Sequence, residues 1–203
     1  KMLDYQKIKS ILKNHTVGIA GAGGLGSNVA MSLTRVGIGK LIIVDFDVVT
    51  ESNLNRQFYF KHQVGFKKVD ALRANLLSIN PDLILETHDT KLDASNILNY
   101  FQAVDVMVEA FDRAEMKQII IEKFQIEKPE IPLVVGNGMA GWGNSNDMRV
   151  QQYETLYICG DGVSEVADNL PPIAPRVNIC AAMEANVVLS ILLNKVTNIK
   201  VKP

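Results

Sequence analysis

The chain has 203 residues, of which 47% are apolar and 21% charged, and its formal net charge is -1. Those values suit one α/β domain with a full core, and the absence of basic runs argues against a nucleic-acid partner. No signal peptide and no apolar stretch of bilayer-spanning length is read, and two cysteines support neither a disulfide scaffold nor a four-thiolate zinc site, so a cytoplasmic protein without a membrane partner is expected.

Residues 1–14 mix charge with Leu3, Ile8, Ile11 and Leu12, a spacing that predicts a short amphipathic helix over one sheet edge. Strand and helix signals then alternate. His15 to Ala20 reads as a buried strand, Leu25 to Val36 as a helix, and Lys40 to Asp45 as a β-branched strand ending in an acid. Lys67 to Ile79 reads as a helix stopped by Asn80-Pro81, and Leu83 to Thr87 as a strand. Asp93 to Phe101 reads as a short helix with Asp93 at its N-cap, Val104 to Glu109 as a strand, Asp112 to Phe124 as a helix, and Pro132 to Val135 as a strand. Such alternation implies βαβ units and a Rossmann-like, doubly wound, mostly parallel sheet.

The last third breaks the rhythm. Residues 136–143 are glycine-rich, Arg149 to Ile158 alternates as one or two antiparallel strands would, and residues 160–175 read as a long cover or binding loop. Val177 to Asn194 is a strongly apolar helix expected to pack on the sheet, starting near Pro175. The whole chain, 1–203, reads as one domain: a nucleotide-binding half over about 15–135, then the glycine-rich segment, loop and C-terminal helix over about 136–203.

The glycine loop Gly21-Ala-Gly23-Gly24-Leu-Gly26 follows a strand and opens a helix. Gly21 permits the turn, Gly23 lets backbone approach a phosphate, and Gly26 lets helix and strand pack closely, with Gly24 in the same anion-binding run. Asp45 at the end of the second strand suits a ribose hydroxyl pair, which fits NAD as well as ATP. Asp47 reads equally as a second polar contact or a solvated loop acid. Ser52, Asn53, Asn55, Arg56 and Gln57 form a polar run that is either a surface turn or a phosphate grip, and a guanidinium suits phosphate oxygens. Lys68 opens the next helix, where dipole matching disfavours a cation, so a phosphate role fits it better than most surface lysines, although Lys67 competes on composition. Asp112 reads as an N-cap or as a carboxylate holding Mg2+ against phosphate, and the two are compatible. His15, His62 and His88 have no ligand-like spacing. Cys180 is read as buried and inert, and Cys159, at the start of the loop, as a thiol open to exposure but unreactive like most cysteines.

Together, Gly21 to Gly26, Val44-Asp-Phe-Asp47, Ser52-Asn-Leu-Asn-Arg-Gln57, Val64-Gly-Phe-Lys-Lys68, Ile79-Asn-Pro81 and Glu109-Ala-Phe-Asp112 resemble the ThiF/MoeB/HesA superfamily, the bacterial relatives of ubiquitin-activating enzymes. Gly138 to Gly141, Tyr157 to Asp161 and Ala174-Pro-Arg-Val177 look like the short ThiF subgroup of thiamine biosynthesis. The resemblance implies an ATP- and Mg2+-dependent adenylyltransferase acting on the C-terminal glycine carboxylate of a ThiS-like, ubiquitin-fold sulfur carrier with a Gly-Gly tail. It places Asp45 on the ribose, Asp47 in the nucleotide site, Ser52, Asn53, Arg56 and Lys68 on the triphosphate, and Asp112 on Mg2+, with Arg56, Lys68 and Asp112 carrying catalysis. It also implies a homodimer whose interface the apolar C-terminal third would supply.

Three departures stand out. The family's two cysteine pairs for zinc are absent, so no zinc is expected. No arginine precedes Arg35 to fill the N-terminal arginine role of many relatives, and the loop over residues 160–175 holds no cysteine for the covalent sulfur link of some relatives. A MoaD-type carrier, another superfamily substrate including tRNA, an NAD-dependent oxidoreductase and a catalytically silent subunit are the competing readings.

Overall fold

A computed structural model describes residues 3–197. The expected start and end of the chain, 1–2 and 198–203, lie outside the described residues. The strands are β1 (Thr16–Ala20), β2 (Lys40–Asp45), β3 (Ile84–Asp89), β4 (Val106–Glu109), β5 (Leu133–Gly136), β6 (Arg149–Tyr153) and β7 (Leu156–Gly160). They form one sheet in the order β3-β2-β1-β4-β5-β7-β6. All neighbours are parallel except the β6–β7 hairpin, as the alternation after Arg149 predicted. The strand order reverses direction at β1, and the carboxyl ends on either side of it open a crevice where doubly wound folds bind ligands.

The helices are α1 (Tyr5–Leu12), α2 (Gly24–Val36), α3 (Lys68–Ile79), α4 (Ile97–Phe101), α5 (Ala114–Glu127) and α6 (Ala174–Thr197). Two apolar clusters sandwich the sheet. One gathers Val17, Ile19, Leu33, Leu72, Val188 and Leu192 from β1, α2, α3 and α6, and the other gathers Phe101, Met107, Ile120 and Phe124 from α4, β4 and α5. Successive side chains of β1 therefore feed opposite layers.

Several boundaries differ from expectation for local reasons. α1 is capped by Asp4, whose carboxylate accepts from Lys7 N at 2.8 Å, and it packs on α2 and α6 rather than over a sheet edge. Asp93 is not the N-cap of α4: its side chain accepts from Ser95 N and Asn96 N in a preceding turn, and the helix starts at Ile97. Nor does Asp112 cap α5, which starts at Ala114 with Arg113 in the capping position, so the carboxylate is left for other contacts. α3 starts at Lys68, one residue later than the pattern suggested.

α6 corrects the reading that no stretch could span a bilayer, since Ala174–Asn194 is long and apolar enough by length and composition. Its inner face instead joins the core through Val177, Cys180, Ala181, Ala185, Val188 and Leu192. Its exposed stripe is Asn178, Ala182, Asn186 and Ser190, at a spacing of one helical turn.

Two glycines of the loop after β1 are fixed by space. Gly21 has φ of +100°, a left-handed setting that side chains rarely adopt. A Cβ on Gly26 would stand 1.9 Å from Gly21 O, so the loop can fold back against α2 only with glycine there.

Candidate functional site

The carboxyl edge of the sheet opens a cleft of about 1020 Å3. Gly21, Gly23 and Gly24 line it after β1, with Asp45 and Asp47 after β2, Asp112 and Lys117 after β4, and Asn137 after β5. Arg56 and Lys68 enter from the stretch between β2 and α3. Sequence positions far apart thus converge because parallel strands present all their carboxyl ends on one side.

The Asp45 carboxylate accepts from Ala22 N at 2.6 Å through Oδ2 and from Asp47 N at 2.7 Å through Oδ1. These bonds fix it beside the glycine loop and leave each oxygen a further lone pair for a hydroxyl donor. Lys68 is buried, and its ammonium donates to Asp47 Oδ2 at 2.8 Å while its backbone N–H donates to Asp47 O at 2.9 Å. Asp47 is therefore the partner that holds Lys68 in place at the cleft wall. Arg56 donates to Asn55 Oδ1 at 2.8 Å and to Ser52 O at 3.2 Å, which folds the guanidinium over its own loop.

Ser52 and Asn53 do not line the cleft. They lie in a single 3-10 turn, Glu51–Asn53, where Asn53 Oδ1 accepts from Thr50 N and Ser52 Oγ pairs with Thr50 Oγ1. Both side chains stabilise the turn that carries Arg56. Asp112 is exposed, lines the cleft and has no hydrogen bond or ion pair among the described contacts. Its neighbour Phe111 N donates to Glu109 Oε1 at 2.6 Å, which sets the course of the chain into α5.

One positioning device is invisible to motif reading. Ser27 Oγ donates to Gly23 O at 2.6 Å and accepts from Phe58 N at 3.0 Å. Asn28 Nδ2 donates to Gly24 O at 2.7 Å and to Arg56 O at 2.8 Å. The first turn of α2 thereby staples the arginine loop to the glycine loop. Tyr59 Oη adds a bond to Ala22 O at 2.7 Å. The only sequence signal was a pair of polar residues, Ser27 and Asn28, in the first turn of a helix.

The segment after β7 covers the cleft, as Ser164, Glu165, Val166 and Pro172 all line it. Asp161 anchors the segment, accepting from Val163 N and Ser164 N at 2.8 Å and from Ser164 Oγ. Arg176, buried at the start of α6, donates to Asp161 Oδ2 at 2.5 Å and to Gly143 O at 2.7 Å. This buried ion pair, absent from the sequence reading as a pair, ties the glycine-rich strap to the cover.

Beneath the cleft floor lies a second charged group. Glu109 is fully buried and takes the Lys117 ammonium, which also donates to Gly136 O at 2.9 Å. Glu184 of α6 is fully buried with no hydrogen-bond partner on either oxygen. Burial pushes its carboxyl well above the ordinary glutamate range, the Glu109 charge adds to this, and Lys117 opposes it. The folded chain then keeps a proton that the unfolded chain releases, so this group lowers stability as pH rises above the ordinary glutamate range. Glu184→Gln removes that dependence. Thermal melts between about pH 5 and 9 should show a flatter curve for the variant, with its advantage growing toward high pH. Parallel curves would mean that Glu184 is ionised in the fold.

Cys159 is also buried, which corrects its reading as a loop thiol open to exposure, and Cys180 Sγ lies 3.3 Å from Cys159 O. Burial pushes both thiols up, toward the inert protonated form. His15 Nδ1 stands 3.2 Å from Asp105, and His88 is 2.8 Å from Glu86, both away from the cleft lining. Among the described residues no group of three or more His, Cys, Asp or Glu side chains is placed to hold a metal.

The chain matches the ThiF family over residues 4–203. It is 43% identical over 98 residues to ubiquitin-like modifier-activating enzyme 5 of Caenorhabditis briggsae, covering 48% of this chain and 22% of that one. The same enzyme of Rattus norvegicus is 36% identical over 129 residues, covering 58% and 31%. The chain thus spans less than a third of the length of these curated relatives. Among solved structures, the E. coli tRNA N6-threonylcarbamoyladenosine dehydratase TcdA, in complex with ATP, superposes with a TM-score of 0.85 at 20% identity, over 95% of this chain and 91% of that one.

Proposed function

The chain belongs to the ThiF family, and on that premise we propose that it is an ATP-dependent adenylyltransferase that activates a carboxylate. The observation that carries this reading is the single cleft shared by the glycine loop, Asp45, Arg56, Lys68 and Asp112. Asp45 receives the ribose hydroxyls and the glycine loop offers backbone N–H groups to phosphate. Arg56 and Lys68 supply cationic charge toward the triphosphate, and Asp47 keeps Lys68 in place. A substrate carboxylate oxygen attacks the α-phosphorus, the bond from that phosphorus to the bridging oxygen breaks, and pyrophosphate leaves. The nucleophile is already an anion, so no general base is needed, and positioning with charge neutralisation carries the step.

Mg2+ neutralises phosphate charge in such a transfer. The exposed, unpaired Asp112 carboxylate fits it, and with no three-ligand cluster among the described residues the ion would rest on Asp112, phosphate oxygens and water.

The substrate we favour is the C-terminal glycine carboxylate of a ubiquitin-fold carrier, of the ThiS type that serves thiazole formation. A MoaD-type carrier or a ubiquitin-like modifier uses the same chemistry, and the name of the curated relatives supports the wider class. A nicotinamide dinucleotide would leave Arg56, Lys68 and Asp112 without a role. A homodimer that uses the apolar C-terminal third as its interface is part of this reading.

ATP–pyrophosphate exchange with Mg2+ tests the proposal, run with purified ThiS-type and MoaD-type carriers and with each carrier lacking its last glycine. Exchange that needs an intact tail supports carrier adenylation and identifies the carrier. ATP binding without exchange for any carrier would sink the carrier reading.

A further inference from the structure

Lys117 has no role in the nucleotide site described so far, yet it lines the cleft. Two of its three N–H donors are committed, one to the buried Glu109 carboxylate and one to Gly136 O. Among the described residues it has no third hydrogen-bond partner, and about a quarter of its side chain, 24%, stays exposed. The ammonium is therefore held by two buried acceptors with one donor left over.

Its place along the sheet edge is also specific. Asp45 ends β2 and the glycine loop follows β1, which lays the ribose and phosphates on the β2–β1 side of the crevice. Lys117 sits at the ends of β4 and β5, between that side and the cover segment that follows β7. A carboxylate that attacks in line must approach the phosphorus from the side opposite the departing pyrophosphate. The β4–β5 end, which also carries Asp112, lies across the glycine loop from Asp45.

The charge balance beneath Lys117 fits an anion above it. The buried groups facing this point are Glu109 from β4, Lys117 from α5, Cys159 from β7, and Cys180 and Glu184 from α6, and the exposed Asp112 at the end of β4 also acts on Glu109. With both thiols protonated, the pair neutral overall and Glu184 holding its proton, the floor carries no net negative charge. Two ionised glutamates would instead repel a carboxylate.

We propose that Lys117 is the substrate-carboxylate ligand of this site, donating its free N–H to the terminal carboxylate that is to be adenylated. The assignment rests on the adenylation reading and extends it to the second substrate.

The test is an equilibrium measurement. A ubiquitin-fold carrier ending in Gly-Gly is prepared as the free acid and as the C-terminal amide. Each is titrated by calorimetry into the chain saturated with the α,β-methylene analogue of ATP, which cannot react. The unmodified chain should prefer the acid. Lys117→Gln should weaken the acid about tenfold or more while leaving the amide and the nucleotide unchanged, as loss of one charge-assisted bond predicts. Lys117→Arg should restore much of the preference. If Lys117→Gln does not fold, because Glu109 is left buried and unpaired, Glu109→Gln with Lys117→Gln removes both charges at similar volume and is read the same way. Equal losses for acid and amide, a loss of nucleotide affinity, or no change would each overturn the assignment. An unmodified chain that binds nucleotide and carrier without distinguishing acid from amide refutes the Lys117 role alone. One that binds neither refutes the adenylation reading, and the assignment falls with it.

Discussion

Asp112→Ala should lower carrier-dependent ATP–pyrophosphate exchange by about 100- to 1,000-fold, the range seen when one preorganised electrostatic group is removed from a reacting centre. The side chain is exposed and bonded to no described residue, so its removal leaves no buried group unpaired. Stability should therefore stay within about 0.5 kcal/mol of the parent, and a thermal melt checks this alongside the kinetics. Asp112→Asn keeps the shape and one oxygen but loses the charge. It should fall between the parent and the alanine variant and should need more Mg2+ for half-maximal exchange. Full exchange in Asp112→Ala, with an unchanged Mg2+ requirement, would remove the residue from the mechanism.

The second large effect is on folding. Arg176→Leu leaves the Asp161 carboxylate buried without its cation and frees Gly143 O from its donor. Breaking a buried pair by removing one partner costs about 3–5 kcal/mol. For a domain of this length that corresponds to a fall in Tm of roughly 6–20 °C. Adding Asp161→Asn should recover part of the loss, because the uncompensated charge disappears while the Asn side-chain oxygen can still accept from Val163 N and Ser164 N. A single variant that melts within a degree of the parent would show that the pair does not hold the strap and cover together. The same substitution should loosen the segment that includes Ser164 and Val166, so faster proteolysis within residues 161–173 is expected before global unfolding.

These two outcomes bear on different parts of the molecule, and the sequence discloses them unequally. Asp112 stood out because it follows a strand pattern and precedes a helix pattern, a local feature. Arg176 and Asp161 stood out only as parts of separate motifs. Their union depends on β7 lying beside β5 and on α6 returning across the sheet. Ser27 and Asn28 read only as part of the helix over Leu25 to Val36, because nothing local says that the first turn of α2 faces the loop carrying Arg56. Ser52 and Asn53 belong to a polar run that read as either a surface turn or a phosphate grip. The chain turns within the run, so Arg56 lines the cleft while Ser52 and Asn53 bond within the turn.

The sequence by itself determined the alternation of strands and helices, the glycine turn after β1, the acid ending β2 and the hairpin near the end. Each depends on residue spacing or backbone freedom within a few positions. Only the tertiary structure decided that Cys159 is buried and that Glu109, Lys117 and Glu184 meet beneath the cleft. Those facts depend on which distant surfaces exclude water from one another. Burial and pairing across elements are set by sheet order and helix packing, not by local periodicity.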